Sequence, residues 1–360
     1  MRLMITIFYF VLSQRYNHAQ TLGGNSVYNF LKLSNTPQLT ALGGINISNQ
    51  TDDAGMVFSN PALIRPEMHT QANFVFNSLY GNIKNYNVLM AYHEQKIKTN
   101  FAAGINFINY GEIVETDPAG NIFGDFKPRD YVFQLSASRR YENSWYYGTA
   151  IKFIYSQYGQ YRSSGIALDV GVSFSDSIHF IQAGLVIKNM GLQIKSYNGT
   201  ASDDLPFDIQ VGISKRLAGA PIQFSLTAHH LHQFDIRYND TVFNNEYFPD
   251  GNSKQNKFTF DKLFRHLIFA TQIFVGDKVE MTVGYNYLRR KELNIGNGGN
   301  GLNGFSAGLG LLFRNLQLRY GRSYYQNNTA YNQLGLSLKL KEYFALVKSG
   351  SNKKVNYLIQ

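Results

Sequence analysis

The sequence predicts an all-β protein: a fourteen-stranded antiparallel transmembrane β-barrel with an N-terminal hatch. Three observations carry that expectation. From residue 71 onward apolar and small or polar residues alternate strictly, and runs of that kind number fourteen. Their connections sort into short ones and long ones that mostly alternate along the chain, as they do when one end carries tight turns and the other carries loops. Charged residues make up only 16% of the 360, while 25 Tyr and 27 Phe supply almost all of a 15% aromatic content. An average soluble domain has about 25% charged residues, so this chain has too few to coat a water-exposed surface.

The first nineteen residues read as an export signal. Arg2 gives the basic start and Leu3 to Leu12 the apolar run, which is shorter than the roughly 20 residues a spanning helix needs. Ala19 is the expected last residue of the signal. Residues 20–70 do not alternate. They hold small residues and turn formers, including Gly43-Gly44, Asp52-Asp53 and Asn60-Pro61-Ala62, which suits a compact plug in the mouth of a barrel whose lumen small side chains alone would not fill.

The fourteen strands are expected near 71–80, 83–93, 100–110, 130–140, 145–156, 164–175, 179–189, 206–217, 221–231, 265–275, 279–288, 304–314, 315–324 and 332–341. In the sixth, Ile166, Leu168, Val170, Val172 and Phe174 share one face, and Gly165, Ala167, Asp169, Gly171 and Ser173 share the other. The eighth repeats this with Ile209, Val211 and Ile213 opposite Asp208, Gln210 and Gly212. Ten residues at about 3.3 Å, tilted by about 45°, cover roughly the apolar band of an outer membrane. Tyr and Phe crowd the strand ends, where rings form interfacial girdles. The turns 141–144, 176–178, 218–220 and 276–278 fall at one end, expected to be periplasmic. The connections 111–129, 190–205, 232–264 and 289–303 fall at the other, with 81–82, 157–163 and 325–331 as its shorter members. Residues 342–360 form a tail after the last strand.

Several segments carry a family resemblance. The fourteen strands with a hatch resemble the FadL-like outer-membrane barrels. Ala41-Leu42-Gly43-Gly44 followed by Asp52-Asp53 and Asn60-Pro61-Ala62 is similar to the N-terminal signature of the PorV/PorQ family of the Bacteroidetes type IX secretion system. AGINFINYG at 103–111, KFIYSQ at 152–157, LPFDIQVGISKRL at 205–217 and LTAHHL at 226–231 resemble the PorQ branch. The resemblance implies a bacterial outer-membrane component that anchors or assembles the cell-surface attachment complex linking secreted cargo to lipopolysaccharide. It further implies three protein partners: the surface protein PorZ, the sortase PorU and the shuttle barrel PorV. The alternative is a FadL-like transporter of hydrophobic small molecules. The chain departs from the barrel pattern where 342–360 follow the last strand.

No enzymatic motif is found: G-x-S-x-G and H-E-x-x-H are absent, and with no cysteine there is no thiolate chemistry. No catalytic residue, cofactor site or metal site is therefore expected. His229, His230 and His232 with Asp235 could be read as a metal cluster. Adjacent residues of a strand point to opposite faces, however, so they are read as rim histidines. Gly296 to Gly301 imitates a phosphate loop but is followed by a strand, and Asp52-Asp53 is read as a pair of turn or cap acceptors. Lys152, Lys188, Lys339 and Arg319 fall on the lumen face. The net charge of +10 is dispersed, which suits an anionic membrane and not nucleic acid. Within 232–264 the aromatic side chains Phe234, Tyr238, Phe243, Tyr247, Phe248, Phe258 and Phe260 are too many for a solvated linker and mark a candidate partner loop.

Overall fold

In the computed structural model, residues 26–197, 199, 202–236, 260–293, 301–326 and 329–341 are described. Residues 1–19, expected to be an export signal, and 342–360, expected to be a tail, lie outside them. The strands are β1 (Gln71–Ser78), β2 (Lys84–Glu94), β3 (Thr99–Asn109), β4 (Ile113–Thr116), β5 (Ile122–Phe126), β6 (Arg129–Tyr141), β7 (Trp145–Tyr158), β8 (Tyr161–Asp176), β9 (Ile181–Lys195), β10 (Asp208–Arg216), β11 (Ile222–Ala228), β12 (Leu267–Val275), β13 (Val279–Asn286), β14 (Phe305–Leu312), β15 (Leu316–Gln326) and β16 (Thr329–Lys339). Fourteen of them pair with their neighbours in chain order, and β1 pairs with β16 to close the barrel; β4 and β5 form a separate hairpin. Every pairing is antiparallel, with Gln71 opposite Lys339 at the seam.

Each expected strand is present, because a wall with lipid on one side and a filled lumen on the other imposes period two on every segment. Val170 and Val211 are 41% and 45% exposed on the outer surface, whereas their neighbours Asp169 and Gln210 are buried. That outer surface is aliphatic over the middle of the strands. A ladder of rings, Phe76, Tyr86, Phe107, Tyr131 and Tyr155, runs across five neighbouring strands with centroids 4.8 to 6.3 Å apart. Closure satisfies every wall strand along both edges, which is the condition for crossing hydrocarbon with strands. No helix among the described residues is long and apolar enough to cross a membrane. The chain is a multi-pass β-barrel of the bacterial outer membrane.

The two ends differ. The connections 95–98, 142–144, 177–180, 217–221, 276–278 and 313–315 are three to five residues long and lie at one end, where the chain also enters β1 and leaves β16. This is the inner, periplasmic end. The outer end carries 110–128, 196–207, 229–266 and 287–304. Some boundaries depart from expectation. The strand read as 221–231 stops at Ala228, because His230 has a left-handed φ of 55°. The connections read as 157–163 and 325–331 shrink to 159–160 and 327–328, since pairing continues to the strand tips. The segment 111–129 folds back as the β4–β5 hairpin, and helices α2 (Phe260–Arg265) and α3 (Tyr287–Leu293) stand at the outer ends of β12 and β13.

Residues 26–70 run down the inside of the barrel. Four short 3-10 turns and one helix, α1 (Pro37–Ala41), make up the segment. Thr36 caps α1 by accepting from the Leu39 N–H, and Pro37 takes the first helical turn, where its missing N–H is not needed. Leu39, Leu42, Met56 and Leu63 pack on Ala270 of the wall. Ala54, Val57, Phe58, Ile64 and Met68 pack on Leu89, Ala91 and Ala102.

Candidate functional site: the plugged lumen and the outer mouth

Wall glycines let the plug backbone lie directly against the barrel. A Cβ on Gly148 would stand 2.6 Å from the Pro61 carbonyl carbon and the Ala62 nitrogen, and one on Gly284 would stand 2.5 Å from the Ala41 oxygen. At Gly171 and Gly184 the obstructing groups are the Asn60 amide and the Ile47 carbonyl. Asn60-Pro61-Ala62 is therefore the part of the plug seated on β7 and β8. Asn60 caps its turn by accepting from the Ala62 N–H and donates to the carbonyls of Ile47 and Val172. Gly43 and Gly44 both have φ of 95°, and the Gly43 carbonyl accepts from Asn286 on β13. Asp53 caps the turn 54–58 by accepting from Gly55 N–H, and it also accepts from Asn73 of β1. Asp52 faces Arg65 at 3.5 Å near the surface.

A polar net ties the plug to the inner half of the wall. Gln38 and Gln272 donate to the same Glu280 oxygen at 2.9 and 2.8 Å, Asn49 donates to Gln272 at 2.6 Å, and Gln223 donates to Asn49 at 2.8 Å. Buried Arg319 lies 3.8 Å from Glu280 and donates to Gln317. Higher up, Lys152 pairs with Asp169 at 2.6 Å and donates to Asn189, while Lys188 donates to the Phe58 carbonyl. Lys339 sits at the inner end of β16. Three of the four lumen cations, Lys152, Lys188 and Arg319, are thus partnered within the seal. Cavities between plug and wall are small, about 20 and 80 Å³, and are lined by polar and cationic groups as well as apolar ones.

The outer mouth holds a pocket of about 630 Å³, and sequence reading had not singled it out. Tyr28 of the plug meets Tyr110, Tyr158, Tyr161 and Tyr197 of the wall there. Tyr110 and Tyr158 both donate to Asp130, at 2.5 and 3.1 Å, and Tyr28 and Ser163 share a hydrogen bond of 2.5 Å. Burial pushes the Tyr28 and Tyr110 hydroxyls up, and the Tyr197 hydroxyl up to about 12. All three stay neutral. Ring faces with hydroxyls at one edge can take a flat apolar or amphipathic group. The signal lay in tyrosines at the tips of four separate strands, and only the closed barrel brings them together.

The histidines are arranged otherwise than strand alternation implied. The left-handed turn at His230 swings its ring to the side of His229, placing the two Nδ1 atoms 2.5 Å apart. His229, His230 and Asp208 offer ligand atoms within 4.8 Å of one another. Asp235 instead pairs with Lys262 at 2.8 Å, and His232 packs edge-on against Phe207. Burial holds all three imidazoles below their usual range, His229 furthest. Of the candidate partner loop, Phe234 and Phe260 are 53% and 71% exposed, while Tyr238, Phe243, Tyr247, Phe248 and Phe258 lie outside the described residues, as does most of the glycine run 296–301.

No family model matches this sequence, and no curated protein does. Among solved structures the chain is similar to a TodX monoaromatic hydrocarbon channel lacking S2 and S3, at TM-score 0.49 and 10% identity, over 84% of this chain and 97% of that one. It is similar to a Pseudomonas aeruginosa FadL homologue at TM-score 0.47 and 9% identity, over 85% and 98%. Likeness to the KdgM porin is lower, at TM-score 0.32 and 4% identity, over 74% and 98%. At such identities the likeness concerns architecture and says nothing of what is bound.

Proposed function

We propose that this barrel is a non-enzymatic anchor of the outer membrane that presents its outer end to a surface assembly. The observation that supports this reading most is the sealed lumen. The plug is seated on glycines, tied by buried hydrogen bonds and leaves only small cavities, so the working surface is the outer mouth and its long connections. Joined to the sequence resemblance, it suggests the attachment complex of type IX secretion, with the surface protein PorZ, the sortase PorU and the shuttle barrel PorV as partners and lipopolysaccharide as the acceptor of cargo. Purification from native outer membranes in mild detergent tests this. Recovery of a surface protein and a sortase with the barrel is expected; a barrel recovered alone with a bound fatty acid or hydrocarbon contradicts it.

The second reading is passage of hydrophobic small molecules. The tyrosine pocket favours it, since it is large enough to receive such a molecule at the mouth, and the TodX and FadL-type barrels are named for that role or that family. It requires the plug to move, because the cavities of about 20 and 80 Å³ between plug and wall are too small to pass such a molecule.

A further inference from the structure

The chain enters the longest outer connection, 229–266, at His229 and leaves it at His266. The two ends are stapled: His229 N–H donates to the His266 carbonyl, and the His266 ring is hydrogen-bonded to the carbonyls of His229 and Phe234. Beside this staple, His229 and His230 point their Nδ1 atoms at each other from consecutive residues, an arrangement no strand allows. It exists because His230 adopts a left-handed backbone with φ of 55°, a conformation that a non-glycine residue holds only at a cost in strain. Asp208, the first residue of β10, faces the pair. One of its oxygens lies 3.8 Å from His230 Nδ1. Its carboxylate is oriented by His230 N–H at 2.6 Å and by the Gln210 amide at 2.7 Å, as outer-shell donors orient a metal-binding carboxylate. His229 is 1% exposed, and its Nε2 finds no partner. A cavity of about 80 Å³ opens on His230 and Asp208.

We propose that His229, His230 and Asp208 form a binding site for a late first-row divalent cation, of the Zn²⁺, Ni²⁺ or Cu²⁺ class, that clamps the start of the outer connection to the barrel wall. Two imidazoles and one carboxylate suit those ions and not Ca²⁺ or Mg²⁺, which take oxygen ligands. Zn–N distances of about 2.0–2.1 Å in a tetrahedral site require the two nitrogens to separate to roughly 3.3 Å, a movement below about 1 Å that side-chain rotation supplies. Three protein ligands leave a fourth position toward the cavity. Lys32, Lys188 and Arg289 bring positive charge to the region, and Asp208 and Glu292 oppose it. The clamp deepens the anchoring reading, since it would set the conformation of the surface that meets a partner. Metal binding itself is independent of that reading.

The test uses the full-length barrel folded in detergent and titrated with Co²⁺, whose visible absorption reports its ligands. Saturation at one equivalent is expected, with Zn²⁺ displacing it. His230→Ala and Asp208→Asn should each weaken binding by about tenfold or more, and His179→Ala, which removes the histidine paired with Asp176 at the inner end, should leave it unchanged. Heat-modifiable migration on a gel verifies folding of each variant, and Asp208→Asn keeps the His230 N–H acceptor should His230→Ala misfold. No Co²⁺ absorption in the wild type, or full affinity in folded Asp208→Asn, would overturn the site. Zn²⁺ should also slow amide hydrogen exchange at 229–236. Binding without that slowing would overturn the clamp.

Discussion

At the inner end the wall strands are joined by three to five residues, and Glu280, Gln272, Asn49 and Gln38 knit plug to wall in one buried net. At the outer end the same strands open into connections of up to several dozen residues, and the prominent groups are rings: five tyrosines around a pocket, and His229 and His230 at the root of the longest connection. Backbone against glycine, with amides filling the gaps, leaves few alternatives and gives a closed floor. Aromatic and imidazole groups at strand tips have room and several possible partners, and give a surface that can recognise something. One barrel therefore separates a closed floor from an open, ring-lined mouth along its axis.

The comparison can be broken first at the belt shared by both ends. Val211→Arg or Val170→Arg, on the lipid side, should cost roughly 2–4 kcal/mol of folding free energy from vesicles, read by urea titration. A much smaller loss would mean that this face does not meet lipid. Gly148→Leu tests the inner floor. Its side chain would run into the Pro61–Ala62 backbone, so overpacking of about 1–3 kcal/mol is expected together with ion leakage as the plug lifts. Gly120→Ala, at an outer position with φ of 87° and open space around it, should strain only its own turn and leave the lumen closed. If both glycine variants leak alike, the two ends are not distinct.

The smallest effect is a pH dependence confined to the outer end. Burial raises the Asp261 pKa, but hydrogen bonds from Arg265 and Tyr287, each at 2.8 Å, outweigh it and hold the carboxyl below its usual range. A depressed carboxyl contributes stability that is present above its unfolded pKa of about 3.9 and is lost as pH falls through the folded value. Asp261 is partly solvated, so the loss should stay below about 1 kcal/mol. Hydrogen exchange in α2, corrected for intrinsic rate, should accelerate between pH 5 and pH 3 by an amount (roughly severalfold) that Asp261→Asn removes. Equal acceleration at the inner end would show a general acid effect instead.

The wall was legible in the sequence because lipid on one side forces period two, and Val170 against Gly171 or Val211 against Gly212 states the inside and outside of the barrel one residue at a time. The plug was legible as a region, since 20–70 lacked alternation and held turn formers. Its seats were not. That Gly148 receives Pro61 and Gly284 receives Ala41 depends on which strands face which turn of the plug, and no local pattern encodes that. The His229–His230 pair was hidden for a different reason: alternation assumes an extended backbone, and the left-handed φ of His230 is set by its N–H bonding to Asp208 across to β10. The β4–β5 hairpin escaped for want of burial, with Ile122 and Phe123 more than 70% exposed.

The anchoring proposal rests on a sealed lumen, which leaves the outer mouth as the exposed working surface. Planar-bilayer recording on the intact barrel, beside a form lacking residues 26–66, tests it most directly. The intact barrel should show no steady conductance, and removal of the plug should give stable open steps. Open steps of equal size in both would contradict it, because the plug would then be no seal and the barrel would be a channel.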